Sequence, residues 1–138
     1  MAELIAAADS AFLIALLDPA DFHHEAATKL SKDYDGLRIH PINLAEVLVG
    51  IPEPLRLRTL DLWRDGGVAV ATPFSDIEEW SAREYKHSLA LAKVRSTYRV
   101  KMPDACALLV AQALDLPLLT FVNGLAKAAR RASVEVPA

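Results

Sequence analysis

The chain has 138 residues, of which 53% are hydrophobic and 24% charged, with a formal net charge of −3. That length suits one domain, 1–138, and that composition excludes a disordered chain, because there is enough apolar side chain to bury a core. The net acidity argues against a basic coat for nucleic acid but conceals a split, since residues 1–85 hold 15 acids and 7 bases whereas residues 86–131 hold 2 acids and 8 bases, an asymmetry that bears on partners.

Leu4–Ala8 is a short continuous apolar run, which predicts a buried element. Asp9-Ser10 offers a helix start for Ala11–Leu17, and Asp18-Pro19 ends it. The pair reads as a strand-to-helix turn with an acid at the carboxyl end of the strand. His23–Tyr34 has Ala26, Ala27 and Leu30 at helical spacing. Asp35-Gly36 is a turn and Leu37–His40 a short strand. Leu44–Val49 is a third helix with Asn43 as its cap, broken by Gly50, Pro52 and Pro54. Leu55–Arg64 is a fourth helix, stopped by Asp65-Gly66-Gly67, and Val68–Ala71 is β-rich. Asp76 to about Thr97 is helical, as one piece or two. Pro103 suits a first helical position, where its missing N–H is no loss, and that helix runs to Leu114. Leu116–Thr120 and Val134–Val136 read as strands on either side of a last helix, Gly124–Ala132. Strands that alternate with helices and are apolar on both faces predict a three-layer α/β/α fold with a short parallel central sheet. In such sheets the site lies at the carboxyl ends of the strands.

The single cysteine, Cys106, excludes an internal disulfide and a Cys-rich zinc site. Its apolar setting, Ala105–Val110, predicts a buried, inert thiol, which fits a reducing cytoplasm. The apolar N-terminus lacks a positive leader and is interrupted by Glu3 and Asp9, and no stretch approaches the roughly 20 apolar residues of a membrane span. A soluble, unprocessed cytoplasmic protein is expected. There is no internal repeat and no Gly-rich phosphate loop.

Three acids stand in apolar surroundings: Asp9, Glu46 within Asn43–Val49, and Asp104 within Met102–Ala107. A buried carboxylate needs a partner, and several converging at strand ends make a hard-cation site of the kind Mg²⁺ and Mn²⁺ occupy. Each also has a purely structural reading. Asp9 caps a helix, Asn43 and Glu46 have capping-box spacing, and Asp104 complements a helix dipole.

The order and setting of these acids, in AADSAFLIALLDPADFHHEA (7–26), INLAEVLVG (42–50), KMPDACALLVAQALDLPLLT (101–120) and LAKAARRASVEV (125–136), resemble the PIN-domain ribonucleases, and among them the VapC-type toxins of toxin–antitoxin pairs. The resemblance implies a metal-dependent endoribonuclease that leaves a 5′-phosphate and a 3′-hydroxyl. Asp9 and Asp104 would be direct ligands of Mg²⁺ or Mn²⁺, and Glu46 would bind a second metal or orient the attacking water. The family's fourth acid, in a Thr-x-Asp after the last strand, falls on Thr120-Phe121-Val122. Valine replaces it, and Asn123, one residue on, would supply a neutral oxygen if the turn shifts. Ser10 and Thr120 would support the acids or the phosphate by hydrogen bonds.

The basic tract before Asp104 holds Lys93, Arg95, Arg99 and Lys101 for phosphates and Tyr98 for stacking on a base. Lys127, Arg130 and Arg131 form a second basic cluster. His23 and His24 point to different helix faces and lack zinc spacing. Trp63, Trp80 and the Leu-rich helix suggest core or dimer surface. The resemblance further implies a homodimer whose groove takes a VapB-like antitoxin peptide, with Phe12 and Leu16 as candidate groove residues. Two other readings stay open. One is a catalytically weak PIN domain that binds RNA or a peptide, which Val122 favours. The other is a phospho-acceptor receiver domain, which would show an acidic pair after the first strand and a late Lys after a strand.

Overall fold

The computed structural model describes residues 3–71 and 73–137. Its elements are β1 (Ile5–Ala8), α1 (Ser10–Leu17), α2 (His24–Ser31), β2 (Gly36–Ile39), α3 (Pro41–Val49), α4 (Glu53–Asp65), β3 (Val68–Val70), α5 (Trp80–Tyr98), α6 (Met102–Ala113), β4 (Leu118–Leu119) and α7 (Asn123–Arg131). All strand pairs are parallel, and the sheet order is β3-β2-β1-β4. The expected three-layer α/β/α arrangement is the one observed.

The small side chains of β1 explain its central place. Successive residues point to opposite faces, so Ala7 packs with Leu108, Leu118 and Leu125. Ala6 and Ala8 pack on the other face with Phe12, Ala15 and Ala27. With methyl side chains, β1 lets helices approach both faces closely. Helix α6 is buried continuously from Ala105 to Ala111, and Ala105, Ala107 and Ala111 permit that. Cys106 lies within it, fully buried, with its thiol pushed up to about 11 by burial and then by the charge of Glu46. It is a buried thiol, as expected.

Chain order reverses beside β1: β2 lies on one side and β4 on the other. Ligands of open parallel sheets bind outside the carboxyl ends of the strands at such a switch point, here the ends of β1 and β4. Asp9 follows the first strand and Thr120 the second.

Several boundaries differ from expectation, each for a local reason. Helix α3 begins at Pro41, not Leu44, because the His40 ring caps it: Nδ1 accepts from the Ile42 N–H at 3.0 Å. Asn43 is therefore inside the helix and is not its cap. Helix α4 opens at Glu53, with Pro54 in its first turn rather than as a breaker. Helix α5 is one piece and starts at Trp80, after a turn. Strand β4 is only two residues long, since Pro117 has no N–H to give, although its carbonyl accepts from Ala7 N at 2.8 Å. Val134–Val136 is not a strand; it keeps one ladder bond, Leu118 N to Glu135 O at 2.9 Å. Gly36 is required where β2 meets the approach to β3, because a Cβ there would stand 2.9 Å from Gly67 O.

No helix among the described residues is long and apolar enough to cross a membrane. Trp63 packs against the cluster of Leu13, Ile39, Leu44 and Val47, whereas Trp80 is exposed. Phe12 is fully buried, so it cannot line a peptide groove. The exposed large apolar side chains of α1 are Ile14 and Leu17.

Candidate active site

Asp9 follows β1 in extended conformation and caps α1. Its Oδ1 accepts from Phe12 N at 2.8 Å, and its Oδ2 accepts from Thr120 Oγ1 at 2.5 Å. The capping reading holds, and capping leaves room for a further partner, because a carboxylate has about four lone-pair positions and uses two here. Asp9 is 4% exposed. Burial raises its pKa, the bonds from Thr120 and Phe12 pull it back, and the charge of Asp104 raises it further. Thr120 Oγ1 also accepts from Val122 N at 3.0 Å, which commits its own proton to Asp9.

Asp104 lies in the first turn of α6. Burial raises its pKa, Lys101 lowers it, and Glu46 raises it. Lys101, at the cap of α6, is thus the cation that faces the acids. Glu46 projects from α3 into solvent, and its Oε1 accepts from Ser10 Oγ at 2.6 Å and from Asn43 Nδ2 at 3.3 Å. The charge of Asp104 bears on Asp9 and that of Glu46 on Asp104, so the three acids form one electrostatic chain.

The donors suit a hard divalent cation, which prefers carboxylate and neutral oxygen. Burial first, and like charge after it, raise both aspartates, and a cation would offset both effects. Among the described residues, however, no group of three or more His, Cys, Asp or Glu side chains is arranged to hold a metal ion. Ser10, next to Asp9, ties Glu46 to the start of α1.

Val122, at the position of the missing fourth acid, packs its side chain against the apolar cluster of α6 and α7. Asn123 is the exposed first residue of α7 and shares no hydrogen bond with Asp9, Glu46 or Asp104.

In the basic tract, Lys93, Arg95, Arg99 and Lys101 are exposed. Tyr98 is half-buried against the core, and its hydroxyl accepts from Gln112 Nε2 at 3.5 Å. Its ring is thus partly committed to packing. Arg131 Nη2 donates to Tyr98 O at 3.0 Å, which brings the second basic cluster to the end of the first.

His23 and His24 do face apart. The His23 ring stacks on Phe121 at 4.4 Å and 7°, while His24 Nδ1 bonds Ala15 O at 2.8 Å.

Two features escaped sequence reading. Asn43 contacts the segments of all three acids, and its three-residue spacing from Glu46, which places both on one helix face, was the available signal. The second is a histidine pair, His40 Nε2 and His87 Nε2 at 2.9 Å. These residues are 47 apart and carry no local mark.

Compared with curated proteins, the chain returns no match. The PIN domain family matches residues 6–131, which removes the receiver reading. PIN domains are in general a nuclease fold and typically depend on divalent metal ions. With that match across nearly the whole chain, and with Asp9, Glu46 and Asp104 on segments joined by hydrogen bonds, this protein belongs to the PIN domain family.

Proposed function

We propose that the protein is a metal-dependent endoribonuclease of the VapC toxin type, active in the cytoplasm and neutralised by a VapB-like antitoxin. The observation that carries this reading is the set of hydrogen bonds that joins the three acid-bearing segments: Thr120 to Asp9, Ser10 to Glu46, and Asn43 to both Glu46 and Pro103, the residue before Asp104. Asp9 and Asp104 would hold Mg²⁺ or Mn²⁺, which supplies Lewis-acid stabilisation of phosphoryl charge and a water of lowered pKa.

The chain's own groups do the rest. Thr120 and the Phe12 amide orient the Asp9 carboxylate and offset part of the effect of its burial. Ser10 holds Glu46, which then orients the attacking water. Lys101 offsets charge beside Asp104, where a phosphate would arrive. Arg95 and Arg99 supply further phosphate contacts, Tyr98 offers only the exposed part of its ring, and Asn123, which shares no hydrogen bond with the acids, would serve as a neutral oxygen only if the turn before α7 shifts. Exposed Leu55, Leu57 and Leu62 on α4 suit a second copy in a homodimer. Ile14 and Leu17, beside Glu46, Thr59 and Trp63, suit an antitoxin segment.

The test is cleavage of structured RNAs with Mg²⁺ or Mn²⁺, beside Asp9→Asn and Asp104→Asn. Metal-dependent cleavage lost in both variants is expected. Equal cleavage by all three proteins overturns the assignment. The second reading, a PIN domain that binds RNA or peptide with little catalysis, rests on the apolar packing of Val122. RNA binding without cleavage would favour it.

A further inference from the structure

One amide stands where the three acid-bearing segments meet. Asn43 lies on α3, one turn before Glu46, and is 1% exposed. Its Nδ2 is 3.0 Å from Pro103 O, 3.3 Å from Glu46 Oε1 and 3.4 Å from Ser10 Oγ. Pro103 precedes Asp104, and Ser10 follows Asp9. A single NH₂ group thus touches the start of α6, the acid of α3 and the start of α1.

The orientation of this amide follows from chemistry. A proline carbonyl only accepts, so the group facing Pro103 O must be the nitrogen. Exchanging the two ends would set an oxygen against a carbonyl and a carboxylate. Two protons serve three acceptors: one goes to Pro103 O and the other is shared between Glu46 and Ser10. Ser10 spends its own proton on Glu46. Asn43, Ser10 and Glu46 therefore form a closed ring of hydrogen bonds, anchored to α6 by the Pro103 bond.

The other end of the amide is left over. Asn43 Oδ1 is buried and has no hydrogen-bond partner. A buried acceptor without a donor is destabilising, and such groups in native proteins call for an explanation. Helix stability does not supply one, because His40 caps α3. Pro103 O has the Ala107 N–H available to it within α6, so it does not depend on Asn43.

We infer that Asn43 is a positioning residue: its NH₂ group sets Glu46 against Asp104 by tying α3 to the start of α6, so that Glu46 and the aspartates address one metal-bound substrate. The inference rests on the nuclease reading above. It requires the donor, not the charge or the bulk, of the side chain. Asparagine and aspartate are nearly the same size, but an ionised carboxylate in place of the amide has no proton for Pro103 O or Glu46 and would push Glu46 away.

The test compares wild type, Asn43→Ala and Asn43→Asp in three measurements: Mn²⁺ affinity by electron paramagnetic resonance, RNA cleavage, and thermal unfolding. Supporting partners of a metal site typically change affinity or activity by about 10–100-fold. Both variants are expected to lose at least about 10-fold in Mn²⁺ affinity and in kcat, while Asn43→Ala keeps or raises Tm. If wild type cleaves and Asp9→Asn does not, yet both Asn43 variants bind Mn²⁺ and cleave as wild type, the inference falls and the nuclease reading stands. If Asn43→Asp binds Mn²⁺ more tightly and stays active, the residue acts as an oxygen and the donor role is overturned. If wild type neither binds Mn²⁺ nor cleaves, the nuclease reading itself falls. A measurement on the wild type removes the dependence on variants that fold: the Asn43 side-chain amide protons should exchange slowly with solvent and shift on titration with Mg²⁺. Fast exchange, or no shift while Asp104 responds, overturns the inference.

Discussion

Two polar groups are buried at the same rim of the sheet, and they are stabilised in opposite ways. After β1 and at the start of α6, Asp9 and Asp104 are desolvated, and a like charge adds to this at each, Asp104 acting on Asp9 and Glu46 on Asp104, so both are harder to ionise than a free carboxyl group. At the carboxyl end of β2, His40 is 3% exposed, and burial followed by the neighbouring His87 pushes its pKa down to about 4. His40 Nδ1 accepts from Ile42 N, so the proton of the neutral ring sits on Nε2 and is donated to His87 Nε2. The two rings satisfy each other with one shared proton. The acids have only Thr120, Ser10, Asn43 and backbone donors, and nearby Lys101 as counter-charge. Burial is thus balanced internally on the histidine side and left open on the acid side, where, on the proposed reading, an external cation would complete the balance.

The contrast breaks most visibly at the acids. Asp104→Asn removes a charge that repels both Asp9 and Glu46. Cleavage should fall by about 1,000-fold or more, as expected when a group that stabilises transition-state charge is lost. Stability should rise at neutral pH by about 1 kcal/mol, as is common when a functional strain is relieved. That is about 3 °C in a thermal melt. Divalent cation should raise the Tm of the wild type and not that of the variant. A variant that melts lower than wild type without metal would contradict this contrast.

Acid titration tests the other side. The His40 pKa is lowered in the folded state from 6.5 to about 4, so the unfolded chain binds more protons between these values. Its neutral ring adds to stability fully above pH 6.5, and that contribution is lost as pH falls from 6.5 toward 4. The loss should reach up to about 3 kcal/mol at the low end, read from urea midpoints and absent in a His40→Asn variant. His87→Ala should cost about 1–3 kcal/mol at neutral pH, because it leaves the His40 Nε2–H buried without an acceptor. An unchanged midpoint would mean that the pair adds nothing.

The smallest effects belong to the basic tract. Arg95→Ala and Arg99→Ala should each weaken RNA binding by the inactive Asp104→Asn protein. Each should also reduce the slope of log affinity against log salt by about 0.7–0.9. An unchanged slope would move the phosphate contacts elsewhere, with Lys127 and Arg130 next to be tried. Surface pairs such as Arg64–Asp61, whose side chains are largely exposed, should contribute under about 1 kcal/mol and serve as controls.

Much of the fold was legible without coordinates. The apolar run before Asp9, the Gly-Gly turn before β3 and the Pro at the start of α6 mark their elements by local physics: periodicity, φ restriction and missing donors. The ordered set Asp9, Glu46 and Asp104 was legible for a similar reason, since an acid in an apolar setting is conspicuous in one dimension. Cys106 was readable as buried from its neighbours alone.

What only the tertiary structure decided is the direction in which side chains point and what they meet there. The earlier start of α3, at Pro41 rather than Leu44 because the His40 ring takes the cap, turned Asn43 from a cap into a buried link between segments. Packing buried Phe12 completely and half-buried Tyr98, although both were expected to touch a partner. The Thr120 bond to Asp9 spans 111 residues and the Asn43 bond to Pro103 spans 60. Such bonds depend on the strand order β3-β2-β1-β4, which only the mutual packing of two helical layers on one sheet determines. Composition and spacing showed where the charges lie along the chain, and the fold decided which of them come together and which donors hold them there.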